Sequence, residues 1–385
     1  MTEKLYEKES HLTRFEARVM QCVPVERGYA VQLNRTAFFP EGGGQVADTG
    51  KLNGINVADV QIVDEFIWHY TNRPLTVGET VIGELDWEPR FSRMQHHTAE
   101  HIVCGIAHRW YGLDNVGFHL GSEDVTLDLS GELTREQIHA IEMEANRIVC
   151  ANVPVTVTFP DEQELKTAEY RSKDGLEGQV RLVTIQGVDC CACCAPHVQT
   201  TGEIGAIKLL DYIRYKGGVR IHLLAGAAAM EDYDYRYRQS AEISSKLSVK
   251  QYDLTSAVDR LLAERDGLKL ALREANRKLA DYMVEMVMPT ERPVYLFGSD
   301  WDTEMLRRIV NGLTMRCSGL CMAYSGNDGS YAYILGGHGD VKAAASEMNH
   351  ALNGRGGGDN RQVQGRLLAT MDEIKQYWQT VEAKQ

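Results

Sequence analysis

Two pairs of metal-ligand side chains, each spaced four residues apart, constrain this chain most: His97-Thr-Ala-Glu-His101 and, far downstream, Cys193-Cys-Ala-Pro-His197. Four residues are about one helical turn, so each pair can present its donors on one face. Imidazole and thiolate are donors that Zn2+ prefers, and His97, His101, Cys193 and His197 make a shell of three nitrogens and one sulfur without any carboxylate. No local loop spans the gap. The fold must carry a helix around residue 100 against a segment around residue 195, and the expectation is one Zn2+ per chain.

Cysteine usage agrees with this. Nine cysteines are an odd number, and four of them crowd between Cys190 and Cys194, which makes a poor disulfide framework. A reducing compartment with metal binding fits better, and a cytoplasmic location is expected. Cys22, Cys104, Cys150, Cys317 and Cys321 read as small core hydrophobes. No run approaches the apolar length of a membrane span, and the start, Met1-Thr-Glu-Lys-Leu-Tyr-Glu-Lys8, is too charged for a secretory signal. A net charge of −13 argues against a globally phosphate-binding surface. Basic residues nevertheless cluster at Arg214, Lys216 and Arg220 around Gly217-Gly218, and at Arg355, Arg361 and Arg366 near a glycine run.

The hydrophobic pattern predicts an α+β chain in four parts. Residues 1–90 read as a glycine-rich, barrel-like β domain, with strands at 29–33, 55–63 and 81–85. Between the first two strands, Gly42-Gly43-Gly44 suits a tight loop where backbone comes close to something else. Residues 91–228 read as a zinc-containing α+β domain, with helices at 91–110 and 134–149, the second opened by a Thr134/Gln137 capping box. Residues 229–288 read as a long helix or helical hairpin. There Leu254, Val258, Leu261, Leu268, Leu272, Ala275 and Leu279 form a heptad-like stripe that needs a partner. Residues 289–385 alternate strands and helices as a small α/β domain, and Gln364-Gly365 is expected to open its terminal helix.

These landmarks, in this order, resemble the AlaX trans-editing proteins in their long form, free-standing relatives of the editing half of alanyl-tRNA synthetase. Thr36 to Gln45 is similar to the family's glycine-rich domain and Met94 to His101 to its first zinc motif. Gly187 to His197, with Thr201 to Gly205, is similar to the second, and Gly354 to Gly358 with Gln364-Gly365 to the DHH-associated C-terminal domain. The resemblance implies zinc-dependent deacylation of mischarged tRNA(Ala): Ser-tRNA(Ala), and Gly-tRNA(Ala) with it. It also implies tRNA contacts at Gly42, Gly43 and Gly44 and at Arg355, Gly356, Gly357 and Gly358. A homodimer through the helical linker and C-terminal domain is a further expectation. Gln95, His96 and Asp189 are the candidates for catalytic polar contacts beside the metal. Where the family commonly has Cys-Gly-Gly-Thr-His, this chain has Cys193-Cys-Ala-Pro-His197, and the neighbouring Cys190, Cys191 and Cys194 are potential competing ligands. No ATP-dependent activation module is recognisable, so uncharging rather than charging of tRNA is expected.

Two other readings use the same residues. His97-Thr-Ala-Glu100-His101 fits the HxxEH pattern of a zinc metalloprotease, with Glu100 as general base. That chemistry wants three ligands and an open water position, whereas two pairs give a closed shell. The other is a non-catalytic tRNA-binding protein with structural zinc.

Overall fold

The computed structural model describes residues 2–121, 125–172 and 179–383. The chain divides into two compact units, Met1–Glu242 and Ile243–Gln385.

The first unit begins with a short parallel pair, β1 (Glu3–Lys4) beside β4 (Arg35–Thr36). Six strands then close a barrel: β2 (Arg14–Val25), β3 (Gly28–Leu33), β5 (Gly50–Leu52), β6 (Ile55–Val63), β7 (Phe66–Thr71) and β8 (Thr80–Leu85), in the order β2-β3-β7-β6-β5-β8. β2 closes the ring because it is long enough to pair with β8 through its first half and β3 through its second. Its alternation places Phe15, Ala17 and Val19 inside, with Val31, Leu33, Phe38, Leu52, Val60, Ile67 and Val81.

Helix α1 (Trp87–Tyr111) leaves the barrel. Its Arg90 is fully buried, forked onto Asp48, and also donates to Ala37 O at 2.6 Å and Ser10 O at 3.0 Å. This ties the helix to the loop between β4 and β5. Residues 94–107 of α1 are buried without interruption. They pack on α2 (Arg135–Ala151), started by the expected Thr134/Gln137 capping box, and on a four-stranded sheet. The sheet has the order β14-β15-β10-β9, from β9 (Asn115–Leu120), β10 (Val125–Leu129), β14 (Ile207–Tyr215) and β15 (Gly218–Ala225). A second sheet, β11 (Val155–Thr158), β12 (Leu182–Ile185) and β13 (Asp189–Ala192), brings the cysteine-rich segment to α1, with the short α3 (Glu162–Thr167) between its first two strands. α4 (Gly226–Leu247) follows, and the division between units falls within it.

In the second unit, α5 (Leu254–Glu285) leads to a five-stranded sheet of order β16-β17-β18-β20-β19. Its strands are β16 (Val294–Gly298), β17 (Leu320–Asn327), β18 (Ser330–Gly337), β19 (Arg355–Gly358) and β20 (Gln362–Leu367). Alternation sorts β17 between two cores. Cys321 and Ala323 face the end of α5 and α6 (Thr303–Thr314), while Met322 and Tyr324 face α7 (Val341–Ala351) and α8 (Met371–Glu382). Most of the α5 stripe stays open: Leu261, Leu268 and Leu272 are each more than half exposed.

Two expectations are corrected. Gln364-Gly365 does not open a helix. Both lie in β20, where Gly365 pairs with Gly356 of β19, and a Cβ on either glycine would stand 2.4 to 2.7 Å from main chain or the Tyr333 side chain. The terminal helix instead starts after Thr370, which forms a capping box with Glu373. Cys150 is exposed at the end of α2 rather than in the core, whereas Cys104, Cys317 and Cys321 are buried. Among the described residues, no helix is long and apolar enough to cross a membrane.

Candidate metal centre

The middle of α1 supplies His97 and His101, with ring centroids 5.5 Å apart. The turn after β13 supplies Cys193 and His197. That turn is fixed by Arg181, nearly buried, which donates to Cys193 O at 2.7 Å, Ala195 O at 2.9 Å and Glu7 O at 3.1 Å. His197 lies 4.8 Å from His97 and 4.6 Å from His101, centroid to centroid. One donor atom from each of the four residues falls within 4.8 Å of the others.

The edges of this cluster test its fit to zinc. A tetrahedral ion with bonds of about 2.0–2.1 Å to nitrogen and 2.3 Å to sulfur sets N···S at about 3.5 Å. Cys193 Sγ lies 3.6 Å from His97 Nε2 and 3.3 Å from His197 Nε2. The other nitrogens are turned outward. His97 Nδ1 donates to Gln45 Oε1 at 2.9 Å. Thr98 Oγ1 sends its own proton to Met94 O at 2.7 Å and therefore accepts from His197 Nδ1 at 3.0 Å. His101 Nδ1 lies 3.2 Å from Asp189 Oδ2, and Arg171 grips Asp189 through both oxygens at 2.7 and 2.8 Å. Gln45 and Thr98 thus orient two rings through hydrogen bonds, Asp189 stands beside the third without one, and the Nε2 atoms of His97 and His197 face one sulfur, as outward partners orient imidazole ligands on a metal. The residues present fit Zn2+.

The electrostatics differ from ring to ring: burial lowers His101, but its contacts with Asp189, Cys193 and Glu100 outweigh this and raise it well above its ordinary value, so a metal would displace that proton. Burial alone raises the Cys193 thiol, but the imidazoles of His97 and His197 and hydrogen bonds from His101 and His197 outweigh it and hold it well below its ordinary value. Burial pushes His197 down to about 3, which keeps that ring a neutral donor. Burial also raises the Asp189 carboxyl, yet the His101 and Arg171 contacts hold it at about 2.

The cluster borders an open cavity of about 1190 Å3. Phe39 to Gly43 of the glycine loop line one side, and His97, Glu100, His101, Asn115 and Phe118 line another, with Tyr170, Arg171 and residues 188–195 between. The loop reaches this wall because Gly44, at φ +85°, lies against the Phe118 carbonyl, which a Cβ would meet at 2.4 Å. Leu120 N donates to Gly44 O at 2.7 Å, and Gln45 bridges to Leu120.

The expected site residues therefore separate. His97, His101, Cys193 and His197 come together, with Asp189 behind His101 and Gly42 and Gly43 on the cavity wall. Gln95 and His96 are not brought to the cavity. Gln95 Nε2 donates to Glu203 O at 2.9 Å, while His96 donates to Ser92 O at 2.8 Å and accepts from Ala225 N at 3.1 Å. Residues one and two places before His97 are rotated by about 100° and 200° around the helix, and here they pin α1 to its neighbours. Cys191 lies in a second group with His101 and Asp189. Arg355 to Gly358 form an exposed edge strand of the second unit. Sequence reasoning missed Gln45, Thr98, Arg171 and Arg181 as supports. The one available signal was Gln45 closing the glycine run.

Fold and centre together define a class, a barrel-bearing α+β chain built around a His/Cys centre. The model of the threonyl and alanyl tRNA synthetase second additional domain matches residues 180–222, which carry Cys193 and His197. That of the class II (A) tRNA synthetases matches residues 4–89, the barrel. Along 94% of its length the chain is 33% identical to the alanine–tRNA ligase of Methanoregula boonei, of which it covers 41%. It is 27% identical to the alanyl-tRNA editing protein Aarsd1 of Rattus norvegicus, covering 93% of it. It is 26% identical to the alanyl-tRNA editing protein AlaX-L of Pyrococcus horikoshii, covering 96%. The chain thus spans about two fifths of the ligases and nearly all of the editing proteins. Over nearly its whole length it is similar to the alanyl-tRNA editing proteins.

Proposed function

We propose that this chain is an aminoacyl-tRNA hydrolase that removes serine, and glycine with it, from mischarged tRNA(Ala), with one Zn2+ held by His97, His101, Cys193 and His197. The observation that carries this reading is the convergence of four donors, three of them (His97, His101 and Cys193) on the wall of a cavity, in a chain similar over its length to alanyl-tRNA editing proteins. When bound, zinc would supply Lewis acidity and a fixed point for the ester. The protein's own residues do the rest. Gln45, Asp189 and Thr98 hold the three rings, and Arg181 holds the Cys193 turn. Such a second site answers a selectivity problem, since one methyl group more or less is worth only about 1–3 kcal/mol in a pocket.

Gly42 and Gly43, on the cavity wall, are offered for the acceptor end of tRNA(Ala), and Gly44 for keeping the loop there. Arg355, Gly356, Gly357 and Gly358, with Arg361 and Arg366, present exposed positive charge and main-chain amides for the phosphate backbone. The open stripe on α5 is offered for a second copy of the chain. The protease reading is disfavoured because the cluster has four donors and leaves Glu100 out. The test is incubation with Ser-, Gly- and Ala-charged tRNA(Ala), with and without a zinc chelator. Chelator-sensitive release of serine and glycine with alanine spared is expected. Equal release of all three, or of none with zinc bound, overturns the reading.

A further inference from the structure

Resting on the hydrolase reading above, we infer that Glu100 is the residue that binds the α-ammonium of the esterified amino acid.

Among the carboxylates lining the cavity, Glu100 alone is both buried and incompletely used. It is 3% exposed. Its Oε1 accepts from Asn115 Nδ2 at 2.5 Å and Cys104 Sγ at 3.0 Å, both neutral donors. Its Oε2 has no hydrogen bond among the described residues and lies 3.8 Å from His101 Nε2, the nitrogen turned toward the donor cluster. The other carboxylates are committed or solvated. Asp189 has both oxygens on Arg171 and one near His101. Glu7 pairs with Lys4, Asp114 with His108, and Glu41 accepts from Gln61. Glu169 is exposed.

The chemistry of the substrate fits that unsatisfied oxygen. An aminoacyl ester carries its ammonium two bonds from the carbonyl carbon, so a carbonyl placed at the cluster puts the ammonium beside it. Oε2 accepts no hydrogen bond from the described residues, and an ammonium that arrives with the substrate supplies a charged donor for it. Asn115 and Cys104 fix the carboxyl plane, so Oε2 is aimed before substrate enters. The same carboxylate would serve the protease pattern as a base, so the test must separate binding of the amine from attack on the ester.

Seryl-tRNA(Ala) is compared with its deaminated analogue, in which a hydroxyl replaces the ammonium, using the zinc-loaded full-length protein and its Glu100→Gln and Glu100→Asp variants. Metal content and thermal unfolding are checked for each. The wild type should prefer the ammonium ester by about 10–100-fold in kcat/KM, the worth of a charge-assisted hydrogen bond. Glu100→Gln should collapse that ratio toward unity, and Glu100→Asp should restore part of it. Calorimetry with the non-hydrolysable seryl amide of 3′-amino-3′-deoxyadenosine should show weakening of similar size in Glu100→Gln. If Glu100→Gln slows both esters equally, or the wild type does not distinguish them, the inference is overturned while the hydrolase reading stands. If the zinc-loaded wild type hydrolyses neither ester, both fall together.

Discussion

Gln45 belongs to the barrel loop, yet its amide oxygen sets the proton of His97 across the boundary to α1. Removing an outward partner of this kind costs metal affinity about 10–100-fold in known sites. Gln45→Leu should therefore release zinc to a competing chelator at correspondingly lower chelator activity, with the fold intact by circular dichroism. Unchanged affinity would mean that packing alone orients the ring. Within the barrel, buried His69 donates Nδ1–H to Val31 O at 3.1 Å and accepts from Thr36 Oγ1 at 2.8 Å. Burial brings it down to about 4 from 6.5. A depressed value means the unfolded chain binds the proton first, so this contribution is complete above pH 6.5 and is lost as pH falls toward 4. The shift amounts to about 3 kcal/mol. Denaturant titrations across that window should show a steeper loss of stability in the wild type than in His69→Gln. Parallel curves would refute the assignment.

At the scale of elements, the glycine loop divides its labour. Gly44 has a left-handed backbone pressed on the Phe118 carbonyl, whereas a Cβ on Gly42 would meet nothing closer than Pro40 O at 4.0 Å. Gly44→Ala should destabilise the first unit by roughly 1–3 kcal/mol and disturb metal binding with it. Gly42→Ala should leave both intact and change only tRNA discrimination. The measurements are melting temperature, zinc content, and the rate ratio on mischarged tRNA(Ala) against another serylated tRNA. Unaltered discrimination in Gly42→Ala would reduce the loop to a spacer. This element also marks how far the sequence could be read. The ligand pairs were legible because helical spacing alone puts 97 with 101 on one face. Gln95 and His96 were misplaced because neighbours in sequence point to different faces of a helix. β2 and β7 went unread, since the interior positions of a small barrel are filled from strands that only closure identifies. The Gly365 strand reads in sequence as a helix start because its meaning lies in its cross-strand neighbour Gly356 and the Tyr333 ring beneath.

At the scale of the whole molecule, the proposed function assigns chemistry and grip to different units. Barrel, α1 and the cysteine turn lie within Met1–Glu242, and the glycine-rich edge strand with its arginines lies within Ile243–Gln385. Each unit has its own apolar core, so neither needs the other to bury its hydrophobic residues. The division within α4 places the cut that isolates the first unit at Glu242, beyond the expected boundary between residues 228 and 229. A chain ending at Glu242 should fold, hold zinc and hydrolyse a minimal ester such as a seryl-acylated acceptor-stem helix. Its affinity for full-length tRNA should fall and its salt dependence should flatten, because every phosphate no longer neutralised takes about 0.9 off the slope of log K against log salt in duplex regions. Without the α5 stripe it should also be a monomer by sedimentation, whereas the whole chain should sediment as a dimer. If the shortened chain binds tRNA as tightly as the full one with the same slope, the second unit is not the grip. If both forms sediment alike, α5 is not the dimer contact.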